Sequence, residues 1–378
     1  MNNNRFVYRL PAEWEPQWGI MLTWPHEKTD WLPYLKEITE TFTAMARCIA
    51  ERENLLIAAP KADIVPAEIR TLERVHIVEC PTDDTWARDH GPITLVRDTR
   101  CEVRGTGVRE NLLFLDFRFN GWGEKFPSEN DNRITSFVAR HLSTVAEDSP
   151  LGSPLSLEDH DDFVLEGGSI ESDGRGTVFT TSQCLLAPNR NQPLSRDEIE
   201  QQLKQRLNAE RVVWLDYGNL IGDDTDGHID TIVRCAPNDT LLYVQSRDAN
   251  DPQHEDFMAL EKQLQALVTT EGKPFRLLPL PMPHPIYEGV QSSIFNLQSS
   301  IFDDQQRLPA TYANFVVLNG AVLVPTYSQD DLDCEAKATI GEAFPDREII
   351  GIDARTVIRQ HGSLHCLTMQ LPEVRRRK

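Results

Sequence analysis

Cys366, His228, Asp89, Glu166 and Asp230 are the residue types that a sulfur-based reaction on a small cation needs. Cys366 lies in Gly362-Ser-Leu-His-Cys-Leu-Thr-Met-Gln370, a half-apolar run that reads as a short strand behind a polar Gly-Ser turn. A cysteine in such a run is ordinarily a small buried hydrophobe. Three other stretches supply the groups that its thiolate would work with: Trp86-Ala-Arg-Asp-His-Gly-Pro92, Leu165-Glu-Gly-Gly-Ser169 and Asp226-Gly-His-Ile-Asp230. Two carboxylates, a third carboxylate beside glycines, a histidine and a thiol together suit a planar cation attacked by sulfur.

Each of these has an ordinary alternative. Asp89 can simply pair with its neighbour Arg88. The glycines after Glu166 admit close backbone approach, or they serve a turn. His228 and Asp230, two apart, face the same way if the segment is a strand, yet a single histidine is usually a satisfied structural one. A metal reading of His228 with Asp223, Asp224 and Asp226 lacks a helical His pair, and a thiolate beside those acids makes a poor ligand order for zinc; the expected metal is none. On a strand, His365 points away from Cys366, which assigns it a structural part.

Composition narrows the class. The chain has 378 residues with a formal charge of −21, from 38 basic and 59 acidic side chains. Such a surface repels nucleic acid and draws small cations toward a cleft, although solubility alone is a sufficient reason for it. No apolar run approaches the ~18 residues of a membrane span. Seven cysteines, with no Cys-x-x-Cys pair, argue against a disulfide framework. A reducing cytoplasm is the expected compartment. The Arg375-Arg-Arg-Lys378 tail reads as a frayed end. A homo-oligomer is left open.

The positioning elements follow from periodicity. Leu35, Ile38, Phe42, Met45 and Ile49 form one helical stripe, between apolar strands at 19–25 and 54–59. A further helix near 64–72 and a strand at 74–80 complete the first unit. Strands are expected at 91–97, 112–117, 163–170, 177–181, 211–215, 229–235, 240–245, 275–278, 314–318, 321–325 and 348–352, with a polar, acidic linker before 163. Asp173-Gly174 and Asn319-Gly320 are hairpin signals, and Ser195-Arg-Asp-Glu198 is a capping box. The order strand, strand, helix, strand recurs about five times with negligible identity between copies. Asp89, Glu166 and His228 fall at or just before the first strand of successive units, and Cys366 follows the last. Residues 279–307 are irregular and contain a small duplication, Gln291-Ser-Ser-Ile-Phe295 and Gln298-Ser-Ser-Ile-Phe302. They read as a substrate-covering loop or a surface insertion.

A wider set of motifs then points to a family. Glu13-Trp-Glu-Pro16, Trp86-Ala-Arg-Asp-x-Gly-Pro92, Phe119-Asn-Gly-Trp-Gly123, Leu165-Glu-Gly-Gly-Ser169, Asn189-Arg-Asn191, Thr225-Asp-Gly-His-x-Asp230, Arg307-Leu-Pro-Ala-Thr-Tyr-Ala-Asn-Phe315 and His365-Cys-x-Thr368 occur in the expected order. In these the chain resembles the agmatine deiminase and bacterial-type peptidylarginine deiminase family. The resemblance implies an α/β fold, the five-bladed pseudo-symmetric propeller (pentein) of repeated ββαβ units, as a single domain over 1–378. It implies hydrolysis of a C–N bond in a guanidine, agmatine first, giving N-carbamoylputrescine and ammonia in putrescine formation. Peptidyl arginine or another small guanidine, amidino transfer to an amine, and a non-catalytic binding module on the same fold stay open. It also implies roles: Asp89 and Asp230 grip the guanidinium, Cys366 attacks its carbon, His228 moves protons, and Glu166 orients His228 and favours its protonated form. Trp86 and Asp224 would receive the remainder of agmatine, with Asp223, Asp224 and Asp226 as a solvated acidic loop the alternative. No cofactor is implied. The chain departs from the family's usual pattern at His361-Gly-Ser363 and at Trp24-Pro-His-Glu-Lys-Thr-Asp-Trp31, and both departures bear on the substrate.

Overall fold

The computed structural model describes residues 8–97, 112–145, 155–288 and 307–373. The duplicated pentapeptide, the C-terminal basic tail and part of the acidic linker lie outside them. The described strands form five separate sheets. Each has the same plan: a first strand antiparallel to the second, and a second parallel to the third. In one, Val233–Ala236 runs against Thr240–Gln245, which runs with Arg276–Pro281. In the next, Val316–Leu318, Ala321–Thr326 and Glu348–Asp353 repeat the pattern. Ile170–Ser172, Thr177–Thr181 and Arg211–Leu215 make a third, and Ile93–Arg97, Leu112–Arg118 and Ser156–Val164 a fourth. The fifth joins both chain ends, because Thr368–Pro372 pairs with Gln17–Thr23, which runs with Asn54–Ala59 and then Val75–Glu79.

A parallel pair cannot be closed by a tight turn, so each second strand leads into a helix before the third. Leu35–Ala50, Ile134–Val145, Arg196–Arg206, His254–Ala266 and Asp330–Ala343 fill these places. The stripe Ile38, Phe42, Met45 and Ile49 is wholly buried. The capping box is closed at both ends, with Ser195 and Glu198 each taking a backbone N–H of the other. Both faces of the central strands are covered, which their unbroken apolar runs require. Ile20, Leu22, Leu55 and Ile57 enter one apolar cluster, whereas Met21, Leu56 and Ala58 enter another.

Two expected strands fall elsewhere, and one strand lies where a linker was expected. The run 163–170 is the end of one strand and the start of the next, because Gly167–Ser169 forms a single 3-10 turn between them. The polar linker before it contains the strand Ser156–Val164, an edge strand with both faces largely wet, and so without an apolar pattern. Ile229–Thr231 is likewise a 3-10 turn, and the strand begins at Val233.

Candidate active site

Short helical turns just before the first strands hold the chemistry. Ala87–His90, Gly167–Ser169 and Ile229–Thr231 carry or flank Asp89, Glu166, His228 and Asp230. Asn314 holds the corresponding place before Val316–Leu318, and Cys366 lies just before Thr368–Pro372. Cys366 is therefore in a turn, not on the strand expected for it, and His228 and Asp230 do not share a strand face. What brings them together is the convergence of turns from different sheets.

Gly168 marks the convergence point. A Cβ there would lie 2.6 Å from His228 Nδ1, 2.9 Å from Asp89 Oδ1 and 3.2 Å from Asp230 Oδ2, so only glycine leaves room. Asp89 Oδ1 is 3.7 Å from His228 Nδ1. Asp89 accepts hydrogen bonds from Gly168 N at 3.0 Å and from Trp122 Nε1 at 3.0 Å. Arg88 does not neutralise it: that guanidinium turns to Gln370 and toward Glu13. The thiol of Cys366 lies 3.9 Å from Asp230 Oδ2 and 3.4 Å from Asn314 Oδ1.

These groups are buried, and charge decides their protonation. Burial, then the neighbouring Asp230 and Asp89, push the Cys366 thiol well above its ordinary range. Asp89 is pushed up to about 6 by burial, against the pull of His228. For Asp230 burial opposes ionisation, but the hydrogen bond and charge of His365 outweigh it and hold the carboxyl low. For His228 burial opposes the charged form, but Asp89, Cys184 and Glu166 outweigh it and hold the imidazole well above its usual range. Neither ring nitrogen of His228 has a hydrogen-bond partner among the described residues, and the same is true of Asp230 Oδ1. A buried polar atom without a partner is costly, and these three belong to residues that meet at Gly168.

Glu166 keeps one half of its expected part, favouring the charged form of His228, and lacks the orienting contact. Its Oε1 accepts from Arg190 Nε at 2.7 Å, both side chains fully buried, while Oε2 has no partner among the described residues. It reaches His228 through charge, at a separation within 4.8 Å, and not through a hydrogen bond. Arg190, which also holds Asp226 and the Thr225 carbonyl, fixes the loop that leads into His228. His365 is also misjudged from sequence. Because the segment is a turn, its ring faces Asp230, with Nδ1 2.6 Å from Oδ2.

Trp86 and Asp224 do line the same cavity as Asp89 and Cys366, a volume of about 210 Å³ whose wall also includes Asp30, Asp84, Trp122 and His361. Trp86 is fixed by its Nε1 donating to Asp84 at 3.0 Å and by contact with Gly362, whose Cβ would strike its ring. Burial pushes the Asp84 carboxyl up to about 7. Asp224 is at the half-exposed rim, with Oδ2 3.7 Å from His361 Nδ1. Two groups have metal-ligand types in reach of one another, Glu166 with Cys184 and His228, and Glu13 with Glu171 and His365. Their carboxylates are already engaged by Arg190 and Arg234, so a metal would have to compete with a guanidinium in each.

With this geometry, known proteins can be compared. The profile of the Porphyromonas-type peptidyl-arginine deiminases matches residues 9–372. The agmatine deiminase of Pseudomonas aeruginosa is 33% identical, over 98% of this chain and 96% of its own length. Among solved structures, a provisionally named arginine deiminase from Porphyromonas gingivalis is 43% identical with a TM-score of 0.81, covering 97% of this chain and 98% of its own. A cysteine-to-serine variant of C. jejuni agmatine deiminase with substrate bound is 34% identical with a TM-score of 0.81, covering 98% of both chains. A buried thiol close to a carboxylate, on a chain matched nearly end to end, thus has one assignment: the protein belongs to the Porphyromonas-type peptidyl-arginine deiminase family.

Proposed function

We propose that this protein hydrolyses agmatine to N-carbamoylputrescine and ammonia through a covalent amidino-cysteine. The observation that carries this reading is the approach of Cys366 Sγ to Asp230, with Cys366 itself lining one cavity with Asp89 and Trp86. The agmatine deiminase relatives, and a substrate-bound structure in which a cysteine had been replaced, support it.

A guanidinium is planar and delocalised, and binding must fix its plane before sulfur can attack. Asp89 and Asp230 accept its N–H groups, and charge assistance makes such bonds strong. Before substrate arrives, burial and then the two aspartates keep Cys366 protonated. The incoming cation cancels the field of the aspartates, so the thiol releases its proton to solvent as the complex forms, and the thiolate takes a proton back when the product leaves. Sulfur then attacks the central carbon, the bond to the terminal nitrogen breaks, and ammonia leaves with a proton from His228. A water next attacks the amidino carbon, giving its proton back to His228. The C–S bond breaks, and the ureido product leaves. Glu166 stabilises the charged form of His228, and Arg190 holds Glu166. Trp86 forms a wall for the four-carbon chain, and Asp224 meets the distal amine. No cofactor enters any of these steps.

We further propose that residues 1–378 are one domain. The five sheets would then stand around a pseudo-fivefold axis, a five-bladed propeller with the site where the turns before the first strands meet. The identical strand plan of the five sheets supports this. A cytoplasmic enzyme of putrescine formation, without nucleic-acid or membrane partners, fits the acidic composition and the absence of any helix long and apolar enough to cross a membrane among the described residues.

Peptidyl arginine is the second reading, favoured by the description of the matching family. An assay of ammonia and ureido product across agmatine, arginine, methylated arginines and an arginine peptide separates the two. Turnover of agmatine alone is the expected result. A preference for the peptide would replace the substrate and leave the chemistry.

A further inference from the structure

One imidazole joins the Asp230 carboxylate to the opening segment of the chain. His365 Nδ1 lies 2.6 Å from Asp230 Oδ2, and its Nε2 lies 2.9 Å from Glu13 Oε2. Both His365 and Asp230 are fully buried. A neutral imidazole carries one N–H, and an ionised carboxylate only accepts. The two contacts therefore need two protons among the three groups, either an imidazolium between two carboxylates or a neutral ring with one protonated acid. In both cases the ring that holds Asp230 is itself held by Glu13. Glu13 is itself anchored by Arg234 Nη2 at 2.5 Å, with Arg88 Nη2 at 3.8 Å, and Arg234 is shared with Glu171.

The main chain repeats the connection. Asn314 Oδ1 accepts from His365 N at 2.8 Å and Cys366 N at 3.3 Å, while its Nδ2 donates to the Asp230 carbonyl at 3.3 Å. The residue before the nucleophile thus holds Asp230 by its carboxylate, and Asn314 holds it by its backbone. One oxygen, Oδ1, is left buried without a partner among the described residues.

We propose that His365, anchored by Glu13, is a positioning residue that fixes the Asp230 carboxylate so that Oδ1 faces a cation beside Cys366. This rests on the reading of the cavity as a guanidine site. The pair is not needed to generate the thiolate; its task is to make the site choose a cation over a neutral molecule of the same shape.

The test uses two nearly isosteric alkylating agents on the full-length protein, cationic 2-chloroacetamidine and neutral 2-chloroacetamide, and takes the ratio of their rates at Cys366. Both rates are taken on folded protein isolated by size exclusion, because the thiol, buried in the fold, reacts with either reagent in unfolded chains and would lower the ratio by itself. Wild type should prefer the amidine. His365→Leu should lower the ratio by about tenfold or more, the scale of one lost hydrogen bond to a charged group. His365→Asn, which keeps a donor near the Nδ1 position, should recover part of it, and Glu13→Gln should fall between wild type and His365→Leu. A wild-type ratio retained in His365→Leu would overturn the proposal. A fall in His365→Leu but not in Glu13→Gln would overturn the part assigned to Glu13. A wild type without preference would instead refute the guanidine-site reading itself.

Discussion

Cys366 Sγ stands 3.9 Å from Asp230 Oδ2, and both side chains are buried. Two negative charges so close, away from water, are not compatible. The free site therefore holds a thiol, and only a cation between the two groups makes the thiolate affordable. Replacing Asp230 by Asn removes one of the charges that raise the thiol. Alkylation of Cys366 by neutral chloroacetamide at pH 7 should then speed up, by several-fold, while turnover of a guanidine is lost. Unchanged alkylation would show that burial alone sets the thiol.

Cys366→Ser and Cys366→Ala should abolish turnover, since a serine hydroxyl at its ordinary pKa is a far weaker nucleophile. Neither change adds volume, so the melting temperature should stay close to that of wild type. Of the six cysteines in the described residues, only Cys366 should carry label from 2-chloroacetamidine. Substantial activity in the Ser variant would remove the covalent route.

His228→Ala should lower kcat by about 10²-fold or more, the usual scale for a general acid and base. Arg190→Met probes a different quantity. It leaves the fully buried Glu166 carboxylate without its cation, and the loss of one partner from a buried pair costs about 3–5 kcal/mol. Chemical denaturation should show that loss, together with a reduced kcat. If Arg190→Met is as stable as wild type, the ion pair does not hold this loop.

Asp224 at the half-exposed rim gives a smaller expectation than a buried acid would. Its side chain is 48% exposed, so solvent screens its charge, and Asp224→Asn should weaken agmatine by about 1 kcal/mol or less. A guanidine without the distal amine should be unaffected. Asp84→Asn, beside Trp86 and deeper in the cavity, is the comparison. A larger loss there, selective for agmatine, would move the amine site from Asp224 to Asp84.

Glu53 offers a pH dependence outside the site. It is buried, accepts from Asn319 N and Nδ2, and burial pushes its carboxyl from 4.5 to about 8. With the folded pKa above the unfolded one, folding favours the protonated acid. That contribution is full below the unfolded pKa and is lost as pH rises through about 8. The melting temperature should therefore fall between pH 5 and pH 9, and Glu53→Gln should flatten the fall. Parallel curves for the two proteins would rule Glu53 out.

The sequence made Asp89, Glu166, His228, Asp230 and Cys366 legible as candidates because they combine chemical type with a repeated position, the approach to a first strand. Asn314 obeys the same rule, before Val316–Leu318, and applying the rule to every unit would have found it. His365 was misread because strand alternation was applied to a segment that is a turn, and the Gly-Ser before it was the available signal. The partners of Glu166 and of Glu13 were not legible. Arg190 is 24 residues from Glu166 and Glu13 is 352 from His365, and no periodicity relates side chains that meet only after the sheets assemble. The edge strand Ser156–Val164 was hidden by exposure, since a strand wet on both faces has no apolar pattern to read.

The central claim is a covalent bond between Cys366 and the substrate carbon. Rapid acid quench of the protein turning over agmatine, followed by mass spectrometry of its peptides, measures that bond directly. The account predicts a single adduct on the peptide of Cys366, with the mass of agmatine less ammonia, accumulating further in His228→Ala if release of the intermediate is slowed. Ammonia and ureido product formed at full rate with no adduct on Cys366, or with the adduct on another cysteine, would contradict it.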